Sequence, residues 1–97
     1  MNGAFDIFAR FHARAGRESE VAEALRDQIA FVRTEPGCVF IDAFRSTRDP
    51  RLFFIHSRWH DETALEAHAH LPNTTQFIER MEMLIDHPFD STRTQIL

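Results

Sequence analysis

Six histidines, one tryptophan and one cysteine are the side chains of this 97-residue sequence best suited to proton transfer, hydrogen-bond donation, nucleophilic attack or metal ligation. Metal ligation fails on spacing. His68 and His70 stand two apart in a helix-patterned stretch, roughly 200° around the axis, so they point away from each other. His12 and His56 share one face of strand-patterned segments with no spaced carboxylate motif beside them, and His60 and His87 stand at element ends. No ligand spacing of the zinc-binding kind is present, and no metal is expected. Cys38 follows Pro36-Gly37 without a His motif or basic pair, so a buried structural thiol is expected there. A lone cysteine makes neither an internal disulfide nor a Cys-based zinc site. A Gly-rich phosphate loop, a Ser nucleophile motif and a carboxylate dyad are all missing, which argues against a nucleotide-dependent enzyme.

His68 and Trp59 carry more information. Ala64, Leu65 and His68 stand at i, i+1 and i+4, which puts the imidazole on the inward stripe of its helix. There it is either a hydrogen-bonded core histidine or a base lining a cavity. Trp59, at the end of a strand facing the same side, is either a core anchor or a single N–H donor in an apolar pocket. Asn73, Thr74, Thr75 and Gln76 follow Pro72 and fit either a helix start or a pocket mouth. His70, four after Glu66, belongs to the outward face.

The elements that must position these residues follow from hydrophobic period. Phe5, Ile7, Ala9 and Phe11 alternate with Asp6, Phe8, Arg10 and His12, the period of a strand over Ala4–Ala13. Gly16 breaks the pattern, and Glu18 and Glu20 favour a helix start. Val21, Ala24, Leu25, Ile29 and Val32 form a helical stripe that Glu35-Pro36-Gly37 ends. A second strand is expected over about Cys38–Arg45, a turn at Arg48–Arg51 and a third strand over Leu52–Trp59. Asp61 caps a helix from Glu62 to about His70. Pro72 interrupts it, and Phe77, Ile78, Met81, Leu84 and Ile85 resume the stripe. Ser91–Leu97 is compatible with a last strand.

The order β-α-β-β-α-β, with right-handed crossovers, predicts an α+β ferredoxin-like sandwich with an antiparallel sheet and helices on one face. The covered face collects Phe5, Ile7, Ala9, Phe11, Val39, Ile41, Ala43, Phe53, Ile55 and Trp59. The other still carries Phe8, Phe40, Phe44, Leu52 and Phe54 among Asp6, Arg10, His12, Asp42, His56 and Arg58. Five large apolar side chains are too many for a monomer's free surface. A homodimer joined sheet to sheet, a dimeric α/β barrel, would bury them.

Composition narrows the classes further. One domain over residues 1–97 is all that this length supports. A net charge of −4, with eleven Arg scattered and no Lys, offers no basic stripe for nucleic acid. The longest apolar run, Leu52-Phe53-Phe54-Ile55, cannot span a bilayer. Met1-Asn2-Gly3-Ala4 lacks the charged and apolar segments of a secretory signal, so a cytoplasmic location is expected. Ten Phe and no Tyr give aromatic area without polar handles, fit for core or for an apolar pocket.

In chain order, Ala9-Arg10-Phe11 through Gly16-Arg17-Glu18, Glu35-Pro36-Gly37-Cys38, Phe53 to Arg58-Trp59, Ala64-Leu65-Glu66-Ala67-His68 and Phe77 resemble the antibiotic biosynthesis monooxygenase domain family over roughly residues 4–85. The resemblance implies a ferredoxin-like homodimer with a small-molecule pocket between sheet and helices. It further implies a cofactor-independent monooxygenase that oxidises a hydrophobic quinol or phenol with O₂. A phenolate can itself supply electrons to O₂, so neither flavin nor metal is needed. The protein then provides an apolar cavity, a base and oxyanion donors. On this resemblance His68 is the base, a residue type that ordinarily titrates near neutral pH, and Trp59 is the donor. Phe11, Ile41, Ile55, Asn73 and Phe77 are the expected substrate-binding residues. This sequence departs from the family pattern at three places: Ile41 stands for a common Tyr, Ser57 for a common acid, and Asn73 for a second His. The haem-degrading branch would need an Asn, a Trp and a haem-ligating His where Ala9, His68 and Ile78 stand, so haem degradation is not expected. Two other readings fit the same scaffold: a non-catalytic binder of small aromatic ligands, and an isomerase of a small carbonyl metabolite.

Overall fold

A computed structural model of the chain describes residues 4–97. The amino-terminal reading of Met1–Gly3 falls outside the described residues. Four strands and three helices follow one another as β1 (Phe5–His12), α1 (Glu18–Val32), β2 (Cys38–Arg45), β3 (Leu52–Trp59), α2 (Glu62–Ala69), α3 (Pro72–Leu84) and β4 (Asp90–Thr94). The sheet order is β2-β3-β1-β4, and every neighbouring pair is antiparallel. This is the ferredoxin-like topology that the alternating and helical periods predict.

Local chemistry accounts for the element ends. Gly16 and Gly37 both adopt positive φ, 83° and 88°, a region that costs any residue with a Cβ. Asp61 accepts a hydrogen bond from the Ala64 backbone N–H at 2.9 Å and so caps α2. Pro72 is more than an interruption: it sits in the first turn of α3, where its missing N–H leaves no gap in the helix ladder. The second helical stretch is thus two helices joined at His70–Leu71.

The core lies between the helices and the inward face of the sheet. Phe11, Trp59, Val21, Leu25, Val32 and Met81 are its largest fully buried side chains, each contributing roughly 1.5–3 kcal/mol by burial. Val39 departs from the expected facing. A register irregularity between Cys38 and Phe40 pushes it out, 46% exposed, and Cys38 packs against the core instead. The opposite face of the sheet leaves Phe8 and Phe44 about half exposed. There Arg58 and His56 converge on the buried carboxylate of Asp6, at 2.7 and 2.8 Å. Among the described residues, no helix is long and apolar enough to cross a membrane.

Candidate active site

A cavity of about 380 Å³ opens between the sheet and the three helices, a size that suits a small ligand. It exists because α2 is only eight residues long and contributes no fully buried side chain, so the sheet beneath it is incompletely roofed. Four of the expected substrate-binding residues, Phe11, Ile41, Ile55 and Phe77, line it, together with Phe89. Its polar wall is small: Gln28, Ser57, His68, Ser91 and Arg93. Asn73 is not part of it. Because α3 begins at Pro72, Asn73 falls in the first turn and faces the groove between α1 and α3, where its Nδ2 is buried without a hydrogen-bond partner.

His68 reaches this cavity from α2 and is anchored from behind. Its Nδ1 lies 2.8 Å from Oε1 of Glu35, and the two side chains are only 17% and 7% exposed. A carboxylate there accepts the Nδ1–H and so fixes the tautomer, which leaves Nε2 as the lone-pair nitrogen for a ligand. Thr74 Oγ1 stands 3.4 Å from the same Nδ1. The indole of Trp59 lies against the imidazole, with ring centroids 4.6 Å apart and planes tilted by 36°. Imidazole orientation is therefore set on one edge by Glu35 and on one face by Trp59.

The indole N–H expected to meet a ligand is already engaged. Trp59 Nε1 donates to Ser57 Oγ at 3.1 Å within the buried wall. Alternate residues of β3 share a face of the sheet, so Ser57 and Trp59 both point inward. The hydroxyl proton of Ser57 then becomes the donor that this pair presents to the cavity. Ser57, a departure from the family pattern, is thus the acceptor of the Trp59 N–H.

Glu35 and Ser57 escaped the sequence reading for different reasons. Glu35 sits in the turn that ends α1, and 33 residues separate it from His68, so no spacing rule joins them. Ser57 had a signal in its place on the inward face of β3, but by sequence it is marked only as standing for a common acid.

Cys38 is a partly buried thiol. Burial pushes its pKa up, and the nearby Glu35 carboxylate pushes it the same way, which suits a structural rather than a nucleophilic role. His12 and His56, without a spaced carboxylate motif in the sequence, gain carboxylate partners through tertiary contacts. His56 meets Asp6, and His12 lies between Asp49 and Asp86 at 3.0 and 2.7 Å.

The sequence model of the family described as antibiotic biosynthesis monooxygenase matches residues 5–80. Among solved structures, the chain is similar to Rv0793 from Mycobacterium tuberculosis, with 23% identity over 98% of this chain and 96% of that one at a TM-score of 0.91. It is similar to PA3566 from Pseudomonas aeruginosa, with 26% identity over 100% and 97% of the two chains and a TM-score of 0.91. It also resembles a structure described as an antibiotic biosynthesis monooxygenase, with 19% identity over 96% and 98% and a TM-score of 0.90. No curated protein matches the sequence.

Proposed function

The chain belongs to the antibiotic biosynthesis monooxygenase family, and from that premise we propose that it oxidises a hydrophobic phenol or quinol to a quinone with O₂. The observation that carries this reading is the Glu35–His68 pair set into the wall of an apolar cavity. His68 Nε2 takes the phenolic proton while Glu35 stabilises the imidazolium that forms. The phenolate transfers an electron to O₂, and the radical pair joins at a ring carbon to give a peroxide, which His68 protonates. Loss of the ring C–H proton and cleavage of O–O then give the quinone and water. The substrate supplies all four electrons, and one oxygen atom enters the product. Ser57 donates to the developing oxyanion, with Trp59 donating to Ser57 in turn. The aromatic and aliphatic walls keep bulk water out while admitting O₂.

The same reading includes a partner copy. The exposed Phe8 and Phe44, with the half-buried Phe40 and Phe54 around the Asp6–Arg58 ion pair, support a homodimer joined through the uncovered sheet face.

Oxygen uptake by metal-free protein against a panel of quinols tests the assignment. His68→Ala is expected to lose about 10²-fold or more of the turnover. Equal rates in the variant and the parent would remove His68 as the base. A second reading, a non-catalytic aromatic binder, is favoured by one feature: Ile41 places an alkyl group where the family commonly has a phenol. Saturable binding of flat aromatics without oxygen uptake would select it.

A further inference from the structure

At the carboxyl end of β1 the chain that leaves α3 is stitched back to the sheet. Asp86 N–H donates to His12 O at 3.0 Å, Arg14 N–H donates to Leu84 O at 2.8 Å, and Ala13 bridges Ile85. Two segments more than seventy residues apart are thereby held at fixed separation. On this clamp three side chains converge. Asp86 Oδ2 lies 2.7 Å from His12 Nδ1, and Asp86 Oδ1 lies 2.6 Å from His87 Nδ1. The two imidazoles stack with centroids 5.9 Å apart.

We infer that His12, Asp86 and His87 form a binding site for a divalent first-row transition-metal ion, with Asp49 as its orienting carboxylate. One ligand atom from each of the three lies within 4.8 Å of the others. Bonds of about 2.0–2.2 Å place tetrahedral ligand atoms about 3.3 Å apart. The short hydrogen bonds to Asp86 must therefore open by roughly 0.7 Å as the ion replaces the protons, a movement that side-chain rotation supplies.

Asp49 is the observation that separates this cluster from an ordinary ion pair. Its Oδ2 lies 3.0 Å from His12 Nε2, and its Oδ1 accepts the Arg51 backbone N–H at 2.9 Å, so the carboxylate itself is fixed. With a proton kept on Nε2 by Asp49, His12 can release the Nδ1 proton that it donates to Asp86 and offer that nitrogen to the ion. Metal-ligating histidines commonly present this carboxylate-backed edge.

Two cations border the cluster: Arg51, whose guanidinium lies 3.0 Å from Asp86 Oδ2 and which also donates to Ala13 O, and Arg14, which lines the groove with Asp86 and His87. Asp49 and Asp86 offset the ion and that guanidinium in part. Glu82 lines the open groove beside His87, where a water can complete the coordination. Two imidazoles and one carboxylate favour zinc, nickel or copper over magnesium or calcium. Imidazole binds a metal only in its neutral form, so protons compete with the ion. This site is apart from the Glu35–His68 cavity and owes nothing to the oxygenation proposal.

Calorimetric titration of the metal-free protein with Zn²⁺ at pH 7.5 and pH 5.5 tests it. One equivalent is expected at pH 7.5, with affinity falling at least tenfold at pH 5.5. His12→Ala, His87→Ala and Asp86→Asn should each weaken binding by tenfold or more. Asp49→Asn should weaken it by about 10- to 100-fold with the stoichiometry unchanged. His60→Ala and His70→Ala are controls that should leave it intact. Zn²⁺ should raise the Tm of the parent but not of the His87→Ala variant, whose exposed site makes folding safe. Undiminished zinc binding by a His12→Ala/His87→Ala double variant would overturn the site, as would the absence of binding by the parent at millimolar Zn²⁺.

Discussion

Trp59 and Ser57 show how one buried hydrogen bond fixes both a core anchor and a cavity wall. The indole is 1% exposed and Ser57 is 4% exposed, so the bond between them has no water to replace it. Ser57→Ala is expected to destabilise the fold by about 1–3 kcal/mol, the cost of leaving a buried donor unpaired. A double-mutant cycle with Trp59→Phe checks the assignment in urea. A coupling of about 0.5–3 kcal/mol is expected for a direct contact, and additive losses would place the Trp59 contribution in packing alone. His68 depends on the same wall through its contact with the indole face.

At the scale of elements, the turn between α1 and β2 sets the geometry of the site. Gly37 has φ +88°, and a Cβ there would collide with the Cβ of Ala64 on α2. The close approach is held by His60 N–H, which donates to Gly37 O at 2.9 Å. It brings Glu35, two residues before Gly37, to His68, one turn beyond Ala64. Gly37→Ala should therefore destabilise the protein on the order of 2–4 kcal/mol, from left-handed strain plus overpacking. Chemical denaturation measures the loss, and Ala64→Gly in the same chain should return the packing part alone. The Val39 irregularity belongs to this scale too, since it turns Cys38 rather than Val39 toward the core.

At the scale of the whole molecule, the uncovered sheet face carries the prediction about assembly. Sedimentation is expected to give the mass of two chains, and Phe8→Asp/Phe44→Asp that of one with unchanged far-ultraviolet circular dichroism. A one-chain mass for the parent would remove the sheet-to-sheet dimer. Ionic clusters set the pH range of stability. Arg58 first, and then His56, hold the Asp6 carboxyl below its ordinary 3.8. That contribution is complete above 3.8 and is lost as pH falls through the lowered folded value. His12 is raised above its ordinary 6.5, so its contribution is complete below 6.5 and is lost as pH rises through the folded value. The two together are full only between about pH 3.8 and 6.5. A Tm profile should show this plateau, and His12→Asn should remove its alkaline limb.

Much of the architecture was legible in the residues, because period two and period 3.6 are local properties that burial on one face imposes directly. Strands over Ala4–Ala13 and Leu52–Trp59, the Asp61 cap and the inward place of His68 are all of this kind. Contacts between side chains far apart in sequence are not, since no spacing encodes them. Glu35 meets His68, Trp59 meets Ser57, and His12 meets Asp49, Asp86 and His87 only when the sheet and its connections close. By itself the sequence determined which faces are apolar and which order of elements buries them. Tertiary structure alone decided which polar atoms are partnered and which remain for chemistry, because that depends on distances across the fold of a few ångströms.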